Sequence, residues 1–354
     1  MKRAVIISIT LILGLEVSML VWLRREPNTT TKNQNTTTLN SSVAQNTNTI
    51  AEVVEPPSWD LTIVGDIMLD RNVWSKIQQY GAGYPYEKIT NLLTGDVVLG
   101  NLEGPFTTST QHAITGGSLL FTFDESLAPS LGTAGFTTLL LGNNHTLNHG
   151  QVGLDNTREL LTKNGLEYYG DPKNRTGYTL TKTLGDEQVT FIGYDNLDGT
   201  IDAVLTDVRA AHSKGEYVII TPHWGAEYQL GIQPRLQQQA HQLIDAGADM
   251  ILGGHPHVVE PLEIYQDKLI AYSLGNFIFD QYFSYDTQEQ LLLNLSFENS
   301  TVRVTLVPLT SIKSQPQPAS AVAKEKLLTR IAKDSVVTDA VRNDIRQGSI
   351  TLTR

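Results

Sequence analysis

Five segments of the 354-residue chain end on side chains able to bind a divalent cation or move a proton. They are Gly65-Asp66, Gly100-Asn101-Leu102-Glu103, Gly142-Asn143-Asn144-His145, Pro222-His223-Trp224-Gly225 and Gly253-Gly254-His255-Pro256-His257. Asp66 and Glu103 offer hard carboxylate oxygens, suited to Mg, Mn, Zn or Fe. Asn101 and Asn144 offer amide oxygens, His223, His255 and His257 offer imidazole nitrogens, and His145 can protonate a leaving group. Taken singly, each has an ordinary explanation: Asp66 can cap a helix, Asn101 can form a turn, and a lone His after a strand is usually structural. His255-Pro256-His257 is the most specific piece, because the proline restricts the backbone between two imidazoles.

The flanks add candidates for the same cleft. Trp224 and Tyr228 are expected to form an apolar wall or a stacking surface for a substrate, and Glu227 to fix the tautomer of a ligating imidazole. Asn101 and Asn276 are expected to meet the substrate as well, although Asn276 and Asp280 read equally as turn and cap residues.

Such side chains act together only if the elements before them deliver them to one edge. Short β-rich runs precede the clusters, at 61–65, 97–100, 137–141, 217–221 and 250–252, with another at 189–194. Helical stretches at 72–80, 154–164 and 234–246 lie between several of them, a pattern that predicts layered α/β packing. Ligand sites in such sheets form outside the carboxyl ends of the strands. The 137–141 run is almost wholly apolar, so it should be buried on both faces. After His257 the pattern changes to hairpin-spaced strands at 258–265, 269–273, 290–297 and 302–309. Gln266-Asp267 and the 298–300 segment serve as turns. The expected architecture is a two-sheet sandwich flanked by helices.

Composition bounds the partners. A formal charge of −11 argues against nucleic acid, which would favour a basic stripe. Zero cysteines exclude disulfides, thiolate nucleophiles and Cys-type zinc sites. Lys2 and Arg3 precede a mostly apolar run from Ala4 to Leu23, about 20 residues, enough to cross a bilayer as a helix. Trp22, Arg24 and Arg25 follow where a cleavage site would need small residues, so residues 1–26 read as an uncleaved signal anchor rather than a removed signal peptide. Residues 27–58, rich in Asn, Thr and Ser, read as a disordered tether. A globular domain over 59–311 and a linker with a C-terminal helix over 312–354 complete the expected organisation.

In this order the motifs resemble the bacterial CapA family of capsule (poly-γ-glutamate) synthesis proteins. The strings that carry the resemblance are Val64-Gly65-Asp66-Ile67-Met68-Leu69, Asn101-Leu102-Glu103, Asn143-Asn144-His145, Pro222-His223-Trp224-Gly225-Ala226-Glu227-Tyr228, His255-Pro256-His257 and Tyr272-Ser273-Leu274-Gly275-Asn276-Phe277. The resemblance implies a four-layer α/β/β/α sandwich, similar to calcineurin-like metallophosphoesterases, around a site for one or two divalent metal ions. By it, Asp66 corresponds to the first aspartate ligand, Asn144 to the amide ligand and His145 to the catalytic acid. His223, His255 and His257 correspond to the histidine ligands. The bridging carboxylate falls at Asn101 or Glu103, and only Glu103 carries the charge. The chain departs from the phosphoesterase pattern at Met68, where a histidine is expected, and carries Asn148 where many similar chains have an acid.

The implied role is a membrane-anchored, extracytoplasmic protein in synthesis, export or processing of an anionic capsular polymer, beside the subunits of a membrane synthase or export complex. Two chemistries remain open. One is metal-dependent hydrolysis of a phosphoester or amide, and the other is non-catalytic gripping of the polymer.

Overall fold

The computed structural model describes residues 58–112 and 119–354. The expected anchor, and the tether up to residue 57, lie outside the described residues. Among the described residues no helix is long and apolar enough to cross a membrane.

The strand Ser58–Ile67 organises the first sheet, whose order is Gln315–Pro318, Thr301–Ile312, Glu289–Glu298, Ser58–Ile67, Val97–Leu102, Thr138–Leu140 and Glu167–Tyr169. The second sheet runs Leu262–Tyr265, Lys268–Ala271, Met250–Leu252, Tyr217–His223, Glu187–Asp195 and Leu180–Leu184. Side chains alternate across a strand, and here both faces of the central strands are apolar. Leu61, Ile63 and Leu99 meet Phe191, Ile219, Met250 and Leu252 in the core between the sheets. On the outer face of the first sheet, Val64, Val98 and Leu139 meet Val73, Ile77, Leu131, Leu154 and Leu161 from the helices Arg71–Tyr80, Ala128–Ala134 and Gly150–Lys163. On the outer face of the second, Ile192, Ile220 and Ile251 meet Val204, Val208, Leu236, Ala240 and Leu243 from Ile201–Ser213 and Pro234–Asp245. The layers are therefore helix, sheet, sheet, helix, as the alternation of strands and helices predicts. The turn at Gln266-Asp267 has φ of 49° and 62°, the consecutive left-handed pair of a tight hairpin.

The C-terminal region differs from its sequence reading. The expected linker holds the edge strand Gln315–Pro318, tolerated there because an edge strand leaves proline's missing N–H unused. The expected single helix is two, Ala321–Asp334 and Asp339–Gln347, with Thr338 capping the second through its side chain. Leu327, Leu328, Ile331 and Ala332 join the core between the sheets, and Ser349–Thr353 pairs with Thr301–Ile312. These residues complete the domain, and the described residues form one compact unit.

Candidate metal centre

Parallel strands from both sheets bring their carboxyl ends to one cleft. Asp66 stands beside Asn276 and Asn101 in the register of the first sheet, at a point where both pairings shift. Gly65 makes that approach feasible, since a Cβ there would lie 1.8 Å from the Gly275 carbonyl oxygen. His223 ends its strand in a bridge to Gly254, whose own Cβ would lie 2.8 Å from Asp66 Oδ1. Bare backbone at Gly254 lets the two sheets share the carboxylate. His255 and His257 follow with φ of 94° and 59°, left-handed values uncommon for non-glycine residues and typical of positions held by their surroundings.

A polar network orients the donors. The Asn143 side-chain oxygen accepts from the backbone N–H groups of His145 and Thr146, so its Nδ2 donates to Asn101 Oδ1 at 2.9 Å. Asn101 Nδ2 in turn donates to Asp66 Oδ1 at 2.8 Å and lies 3.1 Å from His223 Nδ1. His223 Nε2 is 3.0 Å from Asn144 Oδ1 and 3.2 Å from His255 Nδ1. The His255 backbone N–H donates to Asp66 Oδ2 at 3.2 Å. His257 Nδ1 lies 3.0 Å from Asn276 Oδ1, and its Nε2 lies 3.8 Å from Glu103 Oε1. His145 Nε2 is 3.9 Å from the same Glu103 oxygen, while its Nδ1 is 3.1 Å from Asn148 Oδ1.

Among the described residues that come together in the cleft, Glu103 is the carboxylate left without hydrogen-bond partners. It is fully buried, and neither carboxylate oxygen has a hydrogen-bond partner among the described residues. Burial first, then the charges of Asp66 and Glu227, hold its carboxyl well above the usual range. Burial also favours the neutral form of Asp66, but hydrogen bonding to His257, the charges of His223 and His257 and the Asn101 bond outweigh it and hold Asp66 down to about 2. Burial, then His255, pushes His223 well below the ordinary range; burial, then His257, pushes His255 down to about 4. His145 is lowered chiefly by burial. Burial therefore favours neutral imidazoles at His145, His223 and His255 beside an ionised Asp66, while Glu103 would have to give up its proton to bind a cation. Asp66, Glu103 and His223 each offer a ligand atom within 4.8 Å of the others, a group able to hold a metal ion. The orphaned Glu103 oxygens fit that reading, because a buried carboxylate demands a partner.

Asp66, Asn101, Glu103, Asn144, His145, His223, His255 and His257 thus come together, and several expected neighbours stand elsewhere. Trp224 is fully buried in the outer core of the second sheet, stacks on Tyr272 and donates to its carbonyl at 2.8 Å, so it offers no substrate surface. Glu227 is exposed and bonds Tyr228, while the imidazoles are oriented by asparagines. Asn276 is also buried; it bonds the His257 and Thr287 carbonyls and positions His257 instead of meeting a ligand. Tyr228 does reach the rim, its ring centroid 6.2 Å from that of His257. Met68 lies in the outer core of the first sheet, its sulfur 3.1 Å from the Asp70 nitrogen, so no imidazole is supplied there.

The sequence reading gave three side chains no role, although Asn143 and Asn148 stand in or beside its motifs. Asn143 anchors the network, Asn148 holds both His145 and the Phe121 N–H, and Arg71 pairs with Asp280. Asn148 had a signal in its spacing of three from His145; Arg71 had none, its partner lying 209 residues away.

The four-layer α/β sandwich places this cleft at the strand ends of both sheets. The chain belongs to the bacterial capsule synthesis protein PGA_cap family, whose model matches residues 60–281. It is 30% identical to the capsule biosynthesis protein CapA of Bacillus anthracis over 300 residues, 78% of this chain and 73% of that protein. It is 29% identical to the PGA biosynthesis protein CapA of Bacillus subtilis over 295 residues, covering 77% and 78%. Among solved structures, Vps29 of Chaetomium thermophilum aligns at 11% identity and a TM-score of 0.30, covering 74% of this chain and 94% of that one.

Proposed function

We propose that this protein is a divalent-metal-dependent hydrolase of an anionic cell-envelope polymer of the poly-γ-glutamate type, held at the membrane by residues 1–26 on a tether and working beside a synthase or export complex. The anchor and tether rest on composition. The hydrolytic reading rests on Glu103: a buried carboxylate with no hydrogen-bond partner among the described residues, facing His145 and His257, is a place suited to a cation.

Asp66, Glu103, Asn144, His223, His255 and His257 would hold the metal, which when bound supplies Lewis acidity. The chain's own residues do the rest. Asn101 and Asn276 orient His223 and His257. Asn148 holds His145 Nδ1, leaving Nε2 toward the cleft to carry a proton to the departing group. Phe121, 4.2 Å from the His145 ring, limits water on that side.

Met68 favours a second reading, in which the polymer is gripped without being cut. With its sulfur turned to Asp70, one of the two metal positions of the fold lacks a donor. Elemental analysis of the full chain beside His255→Ala, with hydrolysis assays on poly-γ-glutamate and a model phosphoester, separates the two. Metal in the wild type with turnover supports the hydrolase; metal with polymer binding and no turnover supports the grip. No metal and no turnover would overturn the hydrolytic reading.

A further inference from the structure

Arg71 occupies the wall of the cleft without a role in the site described above. Its guanidinium carbon lies 5.0 Å from the Phe121 ring centre and 5.4 Å from that of Phe279. Those rings pack on the site imidazoles, Phe121 at 4.2 Å from His145 and Phe279 at 4.7 Å from His257. The cation is therefore one aromatic ring removed from both. Its field reaches Glu103, His145 and Tyr228.

The guanidinium is held but not saturated. Nη2 pairs with Asp280 Oδ1, and Asp280 Oδ2 accepts from the Asn72 N–H at 3.1 Å, which ties the carboxylate to the helix start. Nε is buried with no partner among the described residues. Arg71 itself has a left-handed φ of 52° at the first position of its helix, a conformation that its surroundings must maintain. A guanidinium stacked on rings and anchored through Nη2 keeps Nη1 without a hydrogen-bond partner among the described residues, and such a fork is suited to a planar oxyanion. Such a group would also offset the negative charge that Asp66 and the exposed Glu227 present to an acidic ligand.

We propose that Arg71 is the anion-recognition residue of the cleft, binding a carboxylate of the acidic polymer while Asp280 holds it against Phe121 and Phe279. This rests on the polymer reading above and adds the residue that selects for it. A phosphate would present the same oxyanion chemistry, so the test carries both.

The experiment measures binding of short poly-γ-glutamate chains and, separately, inorganic phosphate to full-length wild type, Arg71→Ala and Arg71→Lys by titration calorimetry. Metal content and thermal midpoint are recorded for each. The expected result is a loss of at least tenfold in polymer affinity in Arg71→Ala, partial recovery in Arg71→Lys, and unchanged metal content. A merely structural Arg71 would lower the midpoint and leave affinity in place; wild-type polymer affinity in Arg71→Ala overturns the proposal. If Arg71→Ala does not fold, wild-type affinity in Arg71→Lys overturns it equally, since lysine lacks the planar fork. If the wild type ignores the polymer, the polymer reading fails, and phosphate decides: a tenfold loss in Arg71→Ala keeps the anion role, whereas equal affinity or no phosphate binding by the wild type overturns it.

Discussion

Asn276 Oδ1 stands 3.0 Å from His257 Nδ1, although 19 residues separate them. That contact decides which nitrogen His257 turns toward Glu103. Asn276 enters the cleft from the short strand Asn276–Ile278, which pairs with the end of Ser58–Ile67 beside Asp66. Its Nδ2 meanwhile satisfies the His257 and Thr287 carbonyls, so one side chain fixes both the loop and the ring. Partners that orient a ligating imidazole typically matter tenfold to a hundredfold in metal affinity.

Asn276→Ala should therefore weaken divalent-metal binding by about 10–100-fold. It should also cost roughly 1–3 kcal/mol of stability through the orphaned carbonyls. Metal titration of the folded variant checks the first part and urea denaturation the second. Unchanged metal affinity would remove Asn276 from the site's supporting structure.

His255 makes the apo protein acid-sensitive. Burial, then His257, holds it down to about 4 against an ordinary 6.5. The unfolded chain thus binds more protons across that interval, so the stability contribution is present above 6.5 and lost as pH falls toward about 4. His255→Asn should flatten this acid limb. Urea midpoints at several pH values, measured with chelator present, test it; parallel wild-type and variant profiles would contradict the assignment.

Glu260 has the opposite sign. It is buried, neither oxygen has a partner among the described residues, and burial raises it to about 8 from 4.5. Its folded form keeps a proton that the unfolded form loses, so stability is lost as pH rises from 4.5 to about 8. Glu260→Gln should gain stability over wild type at the alkaline end and little at the acid end. Chemical denaturation at the two ends reads the difference, and an equal effect at both would refute it.

Trp224→Phe should lower stability by about 1–3 kcal/mol, because the Tyr272 carbonyl loses its buried donor. Polymer affinity should not change, since the ring is fully buried. A selective loss of ligand affinity, with stability intact, would return Trp224 to the binding surface.

Much of the fold was legible because its signals are local. Leu61, Ile63 and Leu99 face one way and Val64 and Val98 the other, and the period-two pattern that sends them there is written along each strand. The same locality limited the C-terminal reading. Pro316 and Pro318 look like linker residues until the free edge of Thr301–Ile312 gives them a place. The break Ser335-Val336-Val337-Thr338 separates two helices whose mixed charge reads as one, because Val336 pairs with the backbone of Leu262 and Ile264 far away in the chain.

By itself the sequence determined the family, the alternation of strands and helices up to about residue 309, and the polar residues at the strand ends, since all of these depend on neighbours a few positions apart. Tertiary structure alone decided what each polar residue does. Trp224 became core, Asn276 and Asn148 became positioning groups, and Arg71 acquired a carboxylate partner far away in the chain. The reason is physical: burial and hydrogen-bond partners set a side chain's role, and those partners come from strands joined only when the two sheets close on each other.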